Sequence, residues 1–255
     1  MKRIFCLKIL RCLFILLMAS SGLNAASPNP DMVAADALLE SPTLNAAQAE
    51  KALNLYEKVL SSPSAPRALV LAQLGRTCFI LGDLAPKKLR EGYYHKGQMY
   101  AAMLVQEDPN RTEGHYWLAL NLCGQADAAG YMVGRRLLPQ IIQELERSLA
   151  LSETYDQAGA HRVLGRIYFQ APAWPMSVGN MQKSLYHLQA AVKLAPDNST
   201  NHLYLAQTLA RLHYRSLAQM HLEMVLKCTQ HAVKPEDLEE DRQEARRLLN
   251  EMKEK

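Results

Sequence analysis

Three histidines stand at the same position in successive segments of the chain, four residues before a small residue: His115, His161 and His202. Imidazole is a common ligand of transition metals, so this recurrence raises the question of a metal site. The same position is expected to pack against a neighbouring helix. Packed helices lie about 8–10 Å apart, a poor arrangement for three rings to converge on one ion. We therefore expect the histidines to be structural, and we expect neither a metal nor a cofactor.

Arginine also recurs, on the opposite helix face. The predicted binding residues there combine four arginines with three aromatic residues, and no acidic residue shares their positions: Arg76, Phe79, Tyr116, Arg162, Arg166, Phe169 and Arg211. The planar guanidinium group matches a carboxylate, so the pattern predicts a groove that holds an anion attached to an apolar body. In particular, Arg162 and Arg166 lie one helical turn apart and are predicted to address one carboxylate together. The alternative is that some arginines pair with acidic residues of neighbouring helices.

Catalytic motifs are missing from the sequence. It contains no nucleophile elbow, no HExxH, no phosphate-binding glycine loop and no CxxC, and these motifs are the usual sequence signals of hydrolases, metallopeptidases, nucleotide-binding enzymes and thiol oxidoreductases. We therefore expect a protein that is not an enzyme.

The helices that position these residues are predicted from a recurring pair of residues, a leucine followed by a small residue. It occurs at Leu74-Gly75, Leu118-Ala119, Leu164-Gly165 and Leu205-Ala206, with separations of 44, 46 and 41 residues. Large or apolar residues recur three positions later, and the offsets describe one face of an α-helix. A small residue in the middle of that face allows a second helix to approach closely. Repeated helix–turn–helix units of this kind are typical of tetratricopeptide repeats.

The usual tetratricopeptide period is about 34 residues, so the first three units contain extra residues between their two helices. These insertions are "GDLAPKKLREGYYHKG", "GQADAAGYMVGRRLLP" and a stretch within "RIYFQAPAWPMSVGN". The sequence predicts an all-α, right-handed solenoid in which the insertions share one edge. In the third insertion Pro172 and Pro175 stiffen the chain, and Trp174 is the eighth predicted binding residue. It either seals the edge of the repeat or forms part of a lip for a partner.

Four segments are predicted along the chain. Residues 1–25 are predicted to be a signal peptide, 26–44 a flexible segment, 45–233 a leading helix with four repeats, and 234–255 a charged helix that caps the solenoid. The signal combines four basic residues with the apolar run Cys12–Ala19, which is too short to span a bilayer. Cleavage is expected after Ala25 or Ala26, and an uncleaved anchor is the alternative. No cysteine stands directly after the small residues of the cleavage region, so no lipid anchor is expected.

The charge and the cysteine content argue against two further features, nucleic-acid binding and a disulfide framework. The chain has 29 basic and 25 acidic residues, and loss of the signal would remove the whole excess. A neutral mature protein gives no electrostatic support for binding nucleic acid. Export to the periplasm or the exterior would expose Cys78, Cys123 and Cys228 to oxidation, but three widely spaced thiols do not form a disulfide framework. We expect them to behave as buried apolar residues.

Three stretches of the chain resemble the T-component family of TRAP transporters, a periplasmic tetratricopeptide-type family: "EGHYWLALNL", "LERSLALSETYDQAGAHRVLGRIYFQAPAWPMSVGN" and "LQAAVKLAPDNSTNHLYLAQTL". The shared features are the Tyr116-Trp117 pair, the His161-x-x-Leu-Gly step and the Trp174-Pro175 loop before a glycine. The similarity extends over about residues 46–230. It implies a non-enzymatic auxiliary that associates with the ligand-binding component of such a transporter.

Two functions remain open from the sequence. The first is a periplasmic scaffold that binds a partner protein, such as a TRAP ligand-binding component, through the groove or the inserted edge. The second is a carrier or conduit for a small organic acid or amphipathic ligand held by the arginines. A homo-oligomer is compatible with either function.

Overall fold

The computed structural model describes residues 29–229 and 235–253, which form helices joined by short turns. The predicted signal peptide lies outside the described residues. The helices are α1 (Pro30–Leu39), α2 (Ala46–Leu60), α3 (Arg67–Leu84), α4 (Lys87–Glu107), α5 (Thr112–Ala129), α6 (Tyr131–Leu151), α7 (Tyr155–Gln170), α8 (Met181–Leu194), α9 (Ser199–Arg211), α10 (Arg215–Lys227) and α11 (Pro235–Lys253). No strand is assigned within these ranges, and the predicted all-α fold is confirmed.

Four helix pairs repeat along the chain, α3–α4, α5–α6, α7–α8 and α9–α10. Within each pair the two helices pack on one another, and the first helices also contact each other in the order α3, α5, α7, α9. The molecule is therefore a tetratricopeptide-like solenoid, in which the first helices share one surface that we call the inner surface. The terminal helix α11 packs against α9 and α10.

The small residues lie where the helices approach most closely, as the repeat predicts. A Cβ atom added at Gly75 would stand 3.3 Å from Cβ of Trp117, and one added at Gly165 would stand 2.5 Å from Cγ of Leu188. Ala119 and Ala206 are fully buried at the corresponding positions of the other two units. The recurring leucine of each unit is buried as well.

Two segments differ from the expected pattern. Residues 30–39 of the segment predicted to be flexible form α1, which Asn29 caps and which packs on α2 with Ala35 fully buried. The apolar residues Met32, Ala35 and Leu39 join the core around α2 and α3, and this burial stabilises the helix. The first two insertions are mostly helical. They lengthen the helices of the pairs α3–α4 and α5–α6 and leave only short turns between them. Of the three insertions, only the third remains a loop, at residues 171–180.

None of the described helices is both long enough and apolar enough to cross a membrane.

Candidate functional site

The seven residues predicted to line one arginine-lined groove lie in different surroundings. Arg162 and Tyr116 belong to a buried network, Arg166, Phe169 and Arg211 form an aromatic stack, and Arg76 lines an open cleft. Phe79 is half-buried and packs on the rings of Tyr94 and Trp117, at 6.0 Å between centroids in both cases.

Arg162 is only 6% exposed, and its guanidinium group forms hydrogen bonds with other groups of the protein. Its Nη2 donates to Oδ2 of Asp156 at 2.8 Å, and its Nη1 donates to the carbonyl of Gln157 at 3.2 Å and to Oδ1 of Asn201 at 3.3 Å. Tyr116 is 1% exposed and donates its hydroxyl to the same Asp156 oxygen. The predicted exposure of Arg162 and Tyr116 to a ligand is wrong, because both side chains are buried and donate to the partly buried carboxylate of Asp156.

The backbone beside this network is left-handed. Asp156, Gln157 and Ala158 have φ values of 51°, 55° and 62°, a conformation that costs a non-glycine residue roughly 1–2 kcal/mol. We call these three residues the left-handed turn. Arg162 holds its carbonyls, Asn201 donates to the Gln157 carbonyl at 3.3 Å, and Asn198 donates to Oε1 of Gln157 at 2.6 Å. The network therefore stabilises a turn that places Tyr155 and Asp156 at the inner surface.

Arg166 lies one turn further along α7, in a different environment. Its Cζ is 4.5 Å from the ring centroid of Tyr204 and 5.3 Å from that of Phe169, and its Nη1 donates to Oε1 of Gln207 at 2.7 Å. The exposed Arg211 approaches the same Phe169 ring at 5.5 Å. Arg166 thus stacks toward α9 whereas Arg162 is directed into the interior. The prediction that the two arginines address one carboxylate together is wrong.

Arg76 is the predicted arginine that faces an open cavity without a partner. It makes no hydrogen bond or ion pair within the described part of the chain, and it lines a cleft of about 280 Å³ between α3, α5 and α7. The other lining residues supply an apolar wall, one further polar side chain and two carboxylates: Leu69, Ala72, Gln73, Ile80, Glu113, Trp117, Tyr155 and Asp156. We call this cavity the Arg76 cleft.

Trp174 lies on the surface of the protein, outside the core. It is 85% exposed, in a loop fixed at its base by hydrogen bonds from the Gly179 amide to the Pro172 carbonyl (2.8 Å) and from the Asn180 amide to the Tyr168 carbonyl (2.9 Å). Such a side chain does not seal the repeat. Its neighbour Met176 is 65% exposed.

A second cavity, of about 390 Å³, lies beside this loop. Pro172 and Ser177 from the loop line it together with Tyr131 and Leu138 of α6. Tyr131, which lines this cavity, is 63% exposed, and its neighbour Met132 is 75% exposed. The cavity thus lies between α6, which carries these two side chains, and the loop that carries Trp174 and Met176. We call Tyr131, Met132, Trp174 and Met176 the apolar edge. Three of them were not predicted as binding residues, although the break in "AAGYMVG" at Gly130 signals a turn with apolar residues after it.

Each recurring histidine pairs with a side chain of the second helix of its own unit. Nδ1 of His161 lies 3.0 Å from Nδ1 of His187, and Nδ1 of His202 lies 2.9 Å from Nδ1 of His221. His115 pairs with Glu144 at 2.6 Å. Burial, followed by repulsion from the partner ring, lowers the pKa of His187 and of His221 to about 4. Each pair is therefore held as two neutral rings. No cluster of three or more His, Cys, Asp or Glu suited to a metal occurs among the described residues.

Comparisons with known proteins agree with this architecture. The family model described as "TRAP transporter T-component" matches residues 47–255. Among solved structures, the chain resembles a thermophilic TPR protein of Thermus thermophilus, TTC0263, with 20% identity and a TM-score of 0.56 over 78% of this chain and 91% of that one. It also resembles the protein MamA, with 17% identity and a TM-score of 0.50 over 71% and 88% of the two chains. At these identities both structures support the fold alone. No curated protein matches the sequence.

Proposed function

Because the chain belongs to the TRAP transporter T-component family, we propose that it is a non-enzymatic, periplasmic scaffold that binds the ligand-binding component of such a transporter. Family membership supports an auxiliary role at a transporter, and the tetratricopeptide-like fold supports binding of another protein. The apolar edge is the surface that we assign to this contact.

The observation that carries this assignment is the exposure of Trp174. Tryptophan is a large apolar side chain that is enriched at the centres of protein interfaces, and here it is 85% exposed in a loop whose ends are anchored to the protein. Met176 is exposed in the same loop, Tyr131 and Met132 are exposed at the start of α6, and the 390 Å³ cavity between loop and helix can receive a side chain of the partner. A preformed edge of this kind binds without the cost of ordering a loop.

The test is binding between the purified chain and the purified ligand-binding component of a TRAP transporter from the same organism, measured by calorimetry. We expect Trp174→Ala to weaken the complex at least about tenfold, since a buried interface tryptophan contributes more than about 1–2 kcal/mol. The matched control is Tyr214→Ala, which removes an exposed aromatic side chain (51% exposed) from the turn before α10. Binding that is unchanged by Trp174→Ala, or lowered equally by both variants, would remove the apolar edge from the interface.

The inner surface supports a second candidate function, binding of a small organic ligand. The sequence suggested four arginines for this role, but only Arg76 combines an open cavity with a guanidinium group that has no partner within the described residues. We therefore assign this second candidate function to the Arg76 cleft.

A further inference from the structure

The Arg76 cleft contains hydrogen-bond donors that the protein itself leaves unused. The first is the guanidinium of Arg76, whose five N–H groups have no acceptor among the described residues. The second is the hydroxyl of Tyr155, which enters the same cleft from the first turn of α7. The oxygen of this hydroxyl accepts a hydrogen bond from Nε1 of Trp117 at 2.9 Å. That bond orients the hydroxyl and leaves its hydrogen free to donate.

The protonation state of Tyr155 supports its role as a donor. Burial raises the pKa of the Tyr155 hydroxyl to about 12, and Asp156 and Glu113 add to the increase while Arg76 opposes it. The hydroxyl therefore keeps its proton at any physiological pH. The same interactions show that Arg76, Glu113 and Asp156 all lie within electrostatic range of one oxygen atom.

The cleft also contains acceptors. Glu113 is half-buried, and its only ion pair in the described chain is a long one, 3.7 Å from Nε of Arg111. Asp156 is neutralised by Arg162, but both of its side-chain hydrogen bonds end at Oδ2. The other oxygen, Oδ1, has no hydrogen-bond partner within the described residues. Cationic and anionic groups thus face one small cavity, and neither set neutralises the other by direct contact.

The remaining wall is apolar and the volume is small. Leu69, Ala72, Ile80 and Trp117 supply hydrophobic surface next to the charged groups. The volume of about 280 Å³ is at the lower limit of the roughly 300–1,000 Å³ that small-molecule sites occupy. A ligand that satisfies the cleft must therefore be small, partly apolar and charged at both signs.

We propose that the Arg76 cleft binds a small zwitterion of the α-amino acid class. Its carboxylate accepts hydrogen bonds from Arg76 and Tyr155, and its ammonium group donates to Glu113 and to Oδ1 of Asp156. Its side chain lies against Ile80 and Trp117. This site is separate from the apolar edge, so the inference goes beyond the scaffold role and does not depend on it.

The experiment compares three probes that share one hydrocarbon body, titrated into the purified chain by calorimetry. L-leucine has both charged groups, 4-methylpentanoate lacks the ammonium group, and 3-methylbutylamine lacks the carboxylate. We expect leucine to bind at least about tenfold more tightly than either of the others, because each lost charge-assisted contact corresponds to about a factor of ten or more.

Substitutions in the cleft test which residues contact the ligand. Arg76→Gln and Tyr155→Phe are each expected to weaken leucine binding at least about tenfold, and melting curves check that both variants fold. Glu113→Gln is expected to reduce the preference for leucine over 4-methylpentanoate. Arg211→Gln, which removes an exposed arginine at the far end of the inner surface, is the matched control and leaves leucine affinity unchanged.

Three outcomes would overturn the proposal. These are equal affinity for leucine and 4-methylpentanoate, leucine binding that survives Arg76→Gln, and no binding of any probe up to about 10 mM. The scaffold role is scored by a different readout, the effect of Trp174→Ala on partner affinity, so either proposal can fail while the other stands.

Discussion

The first and third repeat units use arginine on the same helix face for opposite purposes. In the third unit, Arg162 is buried, paired with Asp156 and bonded to the left-handed turn. In the first unit, Arg76 stands in an open cleft with no hydrogen bond or ion pair to any described residue. The difference depends on the neighbouring unit. The left-handed turn at the start of α7, held by the fourth unit, places Asp156 against Arg162, whereas no described carboxylate forms an ion pair or hydrogen bond with Arg76. Two arginines on the same helix face of the repeat can therefore differ completely, one held by the fold and the other left without a protein partner.

The two units should differ most in how much the free energy of unfolding falls when their arginine is replaced. Arg162→Ala leaves the Asp156 carboxylate without its cation and the left-handed turn without its main donor, so we expect the free energy of unfolding to fall by about 3–5 kcal/mol. Arg76→Ala breaks no such contact and should change it by less than about 1 kcal/mol. Urea unfolding followed by circular dichroism measures both. Equal losses would show that Arg162 contributes no more to folding than Arg76.

A second contrast concerns glycine. Gly165→Leu in the third unit forces side-chain atoms into Leu188, since even a Cβ atom would lie 2.5 Å from its Cγ, and we expect a loss of about 1–3 kcal/mol by overpacking. Gly92→Ala on α4 of the first unit meets nothing within 4 Å, and better helix propensity should stabilise the protein by up to about 1 kcal/mol.

Thermal melting distinguishes these two changes, and a second substitution tests the cause of the first. Leu188→Ala costs stability on its own, but it should cost less in the Gly165→Leu background because it makes room for the new side chain. Strictly additive losses would indicate that the two side chains do not compete for one space.

The histidine pairs should make the third and fourth units sensitive to acid in a way that the first unit is not. The folded pKa of His187 and His221, about 4, lies below the value of about 6.5 expected in an unfolded chain. The neutral form is favoured by folding, so the stabilisation is complete above pH 6.5 and is lost as the pH falls toward 4. By pH 5 we expect a loss on the order of 1–2 kcal/mol per pair.

The matched experiment measures the melting temperature from pH 7 to pH 5 in the wild type and in a His187→Gln, His221→Gln variant. The variant should show the shallower dependence on pH. The first unit has Leu71 at the position that His161 and His202 occupy in the later units, so it supplies no group that titrates there. Parallel pH profiles for the two proteins would contradict this assignment.

The smallest effect on folding should come from the largest exposed side chain. Trp174 is 85% exposed, so Trp174→Ala should change the free energy of unfolding by less than about 0.5 kcal/mol. The first unit has no corresponding loop, because its insertion is helical. A clear drop in the melting temperature of this variant would mean that Trp174 does pack on the protein, and would weaken its assignment to an interface.

Much of the fold was predictable because its signals are local. The spacing of Leu74, Leu118, Leu164 and Leu205, each before a small residue, describes one helix face without reference to the rest of the chain. The helix starts at Asn180 and Asn198 follow from side chains that accept hydrogen bonds from amides two or three residues later. The candidate site was only partly predictable. Arg76 lines a cleft on the predicted helix face, and its role in binding stays a prediction, whereas the partners of Arg162 were not visible in the pattern.

What the sequence by itself determined is therefore the period, the helical class and the buried face of each unit, since these depend on the 3.6-residue repeat and on side-chain size. Only the tertiary structure decided which arginine is free. The Asp156 carboxylate that pairs with Arg162 lies in the left-handed turn at the start of α7, a conformation that costs non-glycine residues free energy, and Asn198 and Asn201 of the next unit hold this turn in place. Charge pairing depends on where side chains end in space, over distances of a few ångströms, and a helical pattern specifies only the direction in which they start.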